Sequence, residues 1–135
     1  PRFRPEALAA AERYRSEGYV VLLVSATFVP IAELAAAHLG ADGFMATRMQ
    51  IANGHYTSHV LGSVIEGAEK PRAVERWCDE HLGAGAWKIV VAYGDHYSDV
   101  PLLEQAQAAH AVCPGPTLAK IARQRGWEVL NWSSA

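Results

Sequence analysis

The sequence has 135 residues, half of them hydrophobic and 19% charged, with 12 basic against 14 acidic side chains and a formal net charge of -2. That length supports one sizeable core and is short for two ordinary domains, so a single layered domain over residues 1–135 is expected. The balance of charge offers no basic field to hold nucleic acid or an anionic membrane, whereas a small phosphorylated molecule stays open because a bound cation can supply local positive charge.

Pro5 to Glu17 has a helical composition rich in Ala, Glu and Arg, with Gly18 placed as a C-terminal cap. Tyr19 to Val24 follows as a buried strand, ending in Ser25-Ala26-Thr27, and a second helix is expected from about Pro30 to His38, stopped by Gly40. Gly43 to Met49 reads as a short strand, and Asn53-Gly54 between alternating residues is a hairpin signal. Gly62 to Gly67 has turn character, and Pro71 opens a helix to about His81. Lys88 to Tyr93 reads as another buried strand, Leu102 to Ala109 as helix and Ala111-Val112 as a short strand. Pro114-Gly115-Pro116-Thr117 introduces a last helix to Arg125, and Trp127 to Leu130 forms an edge strand. The alternation of helices and apolar strands predicts an α/β fold, a doubly wound and mostly parallel sheet with one β-hairpin.

The apolar runs fall far below the ~20 residues of a membrane helix, and no segment reads as a signal peptide. Cys78 and Cys113 form no CxxC pair and read as reduced thiols, so a cytoplasmic location is expected.

The stretch Ile89 to Leu103 carries the strongest chemical signal. A β-branched run ends in Tyr93-Gly94-Asp95-His96-Tyr97-Ser98-Asp99, and Pro101 falls in the first turn of a helix. Ligands of open α/β sheets collect at the carboxyl ends of strands, where Asp95 and Asp99 stand. Two neighbouring carboxylates repel unless a cation or proton lies between them, and Mg²⁺ is the natural hard cation. The plainer alternatives are that Asp99 caps the helix and Asp95 is a solvated turn residue. Ser25, directly after a strand, is either an anion-binding hydroxyl or an N-cap. Lys70 stands just before Pro71 at a helix entrance, where it either neutralises a phosphate or is merely solvated. His55 and His59 could share a strand face, but nothing completes a zinc site. Tyr93, His96 and Tyr97 border the acidic corner, as pocket walls or as packing.

Taken together, Val24-Ser25-Ala26-Thr27, then Glu69-Lys70-Pro71, then Tyr93-Gly94-Asp95-His96-Tyr97-Ser98-Asp99-Val100-Pro101-Leu102-Leu103 resembles, in order and spacing, motifs two, three and four of the haloacid dehalogenase superfamily, in its phosphoserine-phosphatase-like branch. The Asn53-Gly54 hairpin and the tail Ile121 to Trp127 extend the likeness over nearly the whole chain. The resemblance implies Mg²⁺-assisted phosphoryl transfer to an aspartate and hydrolysis of the aspartyl phosphate. It implies Asp95 as a metal ligand, Asp99 supporting the metal or its waters, Ser25 hydrogen-bonding the phosphoryl group, and Lys70 holding the charges of nucleophile and phosphate together. His96 departs from the small residue common after the motif-four Gly-Asp, which bears on the shape of the local pocket.

The larger departure is the nucleophile. The family's Asp-x-Asp is absent from this sequence, whose aspartates are Asp42, Asp79, Asp95 and Asp99. The expectation is therefore the C-terminal portion of a core domain that begins after the cap, lacks the central first strand, and is inactive alone. Its substrate would be a small phosphomonoester, and the chain would self-associate or pair with the missing N-terminal segment. The alternatives are a non-catalytic remnant that binds phosphate, metal or a partner, and a receiver-like role in which Asp95 itself accepts the phosphoryl group.

Overall fold

The computed structural model describes residues 3–61 and 64–135 and falls into two compact units, Pro1–Ile65 with Ser133–Ala135, and Glu66–Trp132.

In the first unit, α1 (Pro5–Ser16) begins on a proline, and Tyr19 N–H still donates to Tyr14 C=O at 3.0 Å while the two rings meet edge to face. Tyr19 therefore belongs to the end of the helix, and β1 covers Leu22–Phe28 rather than Tyr19 to Val24. α2 (Val29–Leu39) turns Ala32, Ala35 and Ala36 inward and ends on a left-handed Gly40. β2 (Gly43–Ala52) pairs parallel with β1 and antiparallel with β3 (His55–Leu61), giving the order β1-β2-β3. Asn53 and Gly54, at φ 52° and 76°, make the tight turn expected of them, because consecutive positive φ values match the twist of the flanking strands. Asp42 ties the sheet's entrance: its N–H donates to Val21 C=O and its carboxylate accepts from Val21 N–H, both at 2.7 Å. Between Val24↔Met45 and Phe28↔Thr47, β1 advances four residues while β2 advances two, so β1 bulges across Ser25 to Thr27. The buried Thr47 braces the bulge, donating to Ala26 C=O at 2.9 Å and accepting from Ile65 N–H at 3.1 Å.

In the second unit, α3 (Glu69–Leu82) is followed by β4 (Val91–Gly94), a 3-10 turn (Tyr97–Asp99), α4 (Val100–Leu103), β5 (Ala108–Val112), α5 (Pro116–Arg125) and β6 (Glu128–Leu130). The strands are all parallel, in the order β4-β5-β6. The helix expected from Leu102 to Ala109 stops at Leu103, and Ala108 and Ala109 open β5. Helix propensity yields here to packing. Gln107 and Ala108 N–H groups donate to Ile89 and Val90 C=O at 2.9 Å, and Ala109 and Ala111 are small enough to lie with Ala92 beneath Leu103, Leu118 and Ala122. The other sheet face carries Tyr93, His110 and Glu128 in register, Tyr93 and His110 stacked with centroids 4.9 Å apart. Past α3, Trp87 Nε1–H donates to Asp79 at 2.7 Å and closes the connection into β4.

The fold is thus α/β with open, mostly parallel sheets and one hairpin, as the pattern of elements predicts. Residues 62–63 of the expected Gly62–Gly67 turn, and the side chain of His59, lie outside the described residues. Among the described residues no helix is long and apolar enough to cross a membrane.

Candidate functional site

The site in the second unit is assembled at the carboxyl end of β4. Gly94 ends the strand, and the 3-10 turn brings Asp99 back beneath it. A Cβ on Gly94 would lie 2.8 Å from Asp99 Cβ and 3.0 Å from its Oδ2, so only glycine allows this return. Asp99 is buried, 7% exposed, and each of its oxygens is engaged. Oδ2 accepts from the N–H groups of Asp95 and His96, both at 3.2 Å, and Oδ1 meets Lys70 Nζ at 2.7 Å. Asp99 occupies the residue before α4 without capping it by its side chain, so the simple capping role does not describe it.

Lys70 reaches Asp99 from the first turn of α3, which begins at Glu69 and not at Pro71. One of its three N–H groups serves Asp99, leaving two for other acceptors. Asp95 is exposed, and among the described residues its carboxylate has no partner. The turn's remaining constraint comes from His96, whose Nδ1 accepts from Ser98 N–H at 3.2 Å and lies 2.8 Å from Ser98 Oγ. This imidazole acts as the N-cap of the 3-10 turn, a role that Ser, Asp or Asn ordinarily fills. Only the residue type two positions before Ser98 could have signalled it, and histidine seldom caps.

Ser25 lies in the other unit, in the β1 bulge, where its Oγ accepts from Thr27 N–H at 3.1 Å. α2 is capped at Phe28 with no side-chain hydrogen bond, so Ser25 is not its N-cap. Of the residues singled out from sequence, the structure joins Lys70, Asp95 and Asp99 in one hydrogen-bonded corner. Tyr93 packs away from that corner, on His110 and Trp132. Tyr97 is exposed beside His96, the ring centroids 4.2 Å apart. His55 joins no metal cluster among the described residues.

The chemistry of the donors decides which cation fits. Among the described residues no three His, Cys, Asp or Glu side chains could jointly hold a metal, so a closed zinc-type site is not formed. One exposed carboxylate with its backbone held firmly suits Mg²⁺, which keeps several waters and needs only one or two protein carboxylates. Asp95 meets that requirement, whereas Asp99 spends both oxygens on the lysine and the turn.

The family model for haloacid dehalogenase-like hydrolases matches residues 1–104. The chain belongs to that family. Among curated relatives of this haloacid dehalogenase-like chain, a phosphoserine phosphatase of Mycobacterium tuberculosis is 34% identical over 119 residues, covering 87% of the chain and 38% of the relative. Among solved structures, a protein of unknown function from Bordetella pertussis superposes with a TM-score of 0.83 at 28% identity, over 92% of the chain and 56% of its own. A substrate-bound phosphoserine phosphatase gives 0.71 at 25% identity, over 91% and 56%. The haloacid dehalogenase-like chain thus spans roughly two fifths to just over half the length of these relatives.

Proposed function

We propose that this chain is the C-terminal portion of the core of a phosphomonoester hydrolase that works through an aspartyl-phosphate intermediate, with the nucleophilic aspartate supplied by sequence outside the chain. The observation that carries the reading is the corner itself: Lys70 fixed at 2.7 Å on the buried Asp99, and Asp99 fixing the backbone of an exposed Asp95. Asp95 would hold Mg²⁺, which when bound neutralises charge on a phosphoryl oxygen. Lys70 directs its remaining N–H groups at the same charge, and Asp99 keeps the ammonium in place. Ser25 would donate its hydroxyl to the phosphoryl group. The substrate is a small phosphomonoester, in keeping with the named activity of the curated relative.

The test joins the chain to its native upstream segment and measures Mg²⁺ affinity by calorimetry beside turnover of p-nitrophenyl phosphate. Asp95→Asn is expected to weaken Mg²⁺ binding and activity at least tenfold, and Asp42→Asn to leave the Mg²⁺ affinity near that of the parent. Robust Mg²⁺-dependent turnover by the 135-residue chain alone, abolished by Asp95→Asn, would overturn the proposal.

A further inference from the structure

His96 and Tyr97, directly after Asp95, form one wall of a depression of about 210 Å³ whose opposite wall is Pro116, Thr117 and Leu118, with Asp95 also lining it. The imidazole is held in one orientation, because its Nδ1 accepts from Ser98 N–H. With Nδ1 as acceptor, the ring proton sits on Nε2, a donor with no partner among the described residues. The Tyr97 ring lies beside it, centroids 4.2 Å apart and planes at 36°. Leu118, 1% exposed, supplies an apolar lining, and Thr117 adds a hydroxyl.

We propose that His96 is a specificity-determining residue, and that this depression receives the organic group of the phosphomonoester, selecting a compact, planar group that bears a hydrogen-bond acceptor. The inference rests on the phosphatase reading above. Two adjoining rings favour a flat partner, since offset stacking adds to burial, and the fixed Nε2–H favours an acceptor at its edge. The volume lies below the usual range for drug-sized ligands, which argues against a nucleotide or a lipid here.

The experiment uses the chain joined to its native upstream segment and compares p-nitrophenyl phosphate, which is flat and carries acceptors, with glycerol 3-phosphate, which is neither flat nor aromatic. His96→Asn keeps a side-chain acceptor for Ser98 N–H and removes the ring. It is expected to lower kcat/KM for the flat ester about five- to tenfold relative to the other, through KM. An equal loss on both esters, or an unchanged ratio, would overturn the inference. Spectra of ¹³C-labelled histidine rings during titration with phenylphosphonate give a second readout independent of turnover. A selective shift of the His96 ring supports the depression as the site even if no ester is hydrolysed, in which case the phosphatase reading alone fails. No turnover and no shift overturns both.

Discussion

Gly94 shows how one missing side chain sets the geometry of the corner. A methyl group there would press on Asp99 at 2.8 Å, against backbone-held atoms that cannot swing aside. Gly94→Ala is expected to destabilise the protein by about 1 to 3 kcal/mol, read from urea midpoints, and to displace Asp99 from the Asp95 and His96 amides. Lys70 and Asp99 are both largely shielded, with side chains 13% and 9% exposed. Lys70→Met leaves a buried carboxylate with only its two amide donors, and about 3 kcal/mol of stability should be lost. Adding Asp99→Asn removes the stranded charge, so the double variant should be more stable than Lys70→Met alone; additive losses would show that the pair does not couple.

At the scale of elements, most of the helices and turns were legible because their punctuation is local. Gly40 and Gly126 end their helices in the left-handed region, Asn53-Gly54 makes its hairpin, and Pro116 starts α5. What escaped the sequence depends on partners distant along the chain. Nothing near Ala108 reveals that Val91 and Ala92 will pair beside it, and nothing near Tyr19 reveals that its N–H is claimed by Tyr14. The residue types of the corner, Lys70, Asp95 and Asp99, stand out in the sequence, whereas the burial of Asp99 and its ion pair depend on Lys70, 29 positions away. Cys78, on the inner face of α3, gives a test at this scale. Burial first, and then the neighbouring Asp79, push its thiol above its ordinary value. A raised thiol favours the neutral form, so this contribution to stability is present below the unfolded-state value near 8.5 and is lost as the pH rises past it. At pH 8 a thiolate-selective reagent should label the less buried Cys113 well before Cys78. Equal labelling rates in the folded protein would contradict the packing of α3.

For the molecule as a whole, the ends of the two ladders carry the consequence. β1 and β4 each terminate a three-stranded sheet, with one edge paired among the described residues. A strand that ends a ladder can add another strand, from an upstream segment or a second copy. Amides of β1 and β4 directed to the open edges are expected to exchange with solvent much faster than those facing β2 and β5, and to become protected when the upstream segment is joined. Uniform protection in a monomer of the chain alone would refute this.

The first unit is completed by the last three residues. Arg4 Nη1 donates to Ser133 C=O at 3.0 Å, and Ser133 N–H and Oγ–H donate to Glu6 Oε2 at 2.8 and 3.0 Å, so the start of α1 is held by the far end of the sequence. The backbone from Glu66 to Trp132 is therefore an excursion that leaves this unit and returns to it. Such a layout tolerates rewiring: a circular permutant, its old ends joined by a short glycine linker and its new ends opened at Asn53-Gly54, should still fold. Deleting Ser133 to Ala135 should instead loosen α1.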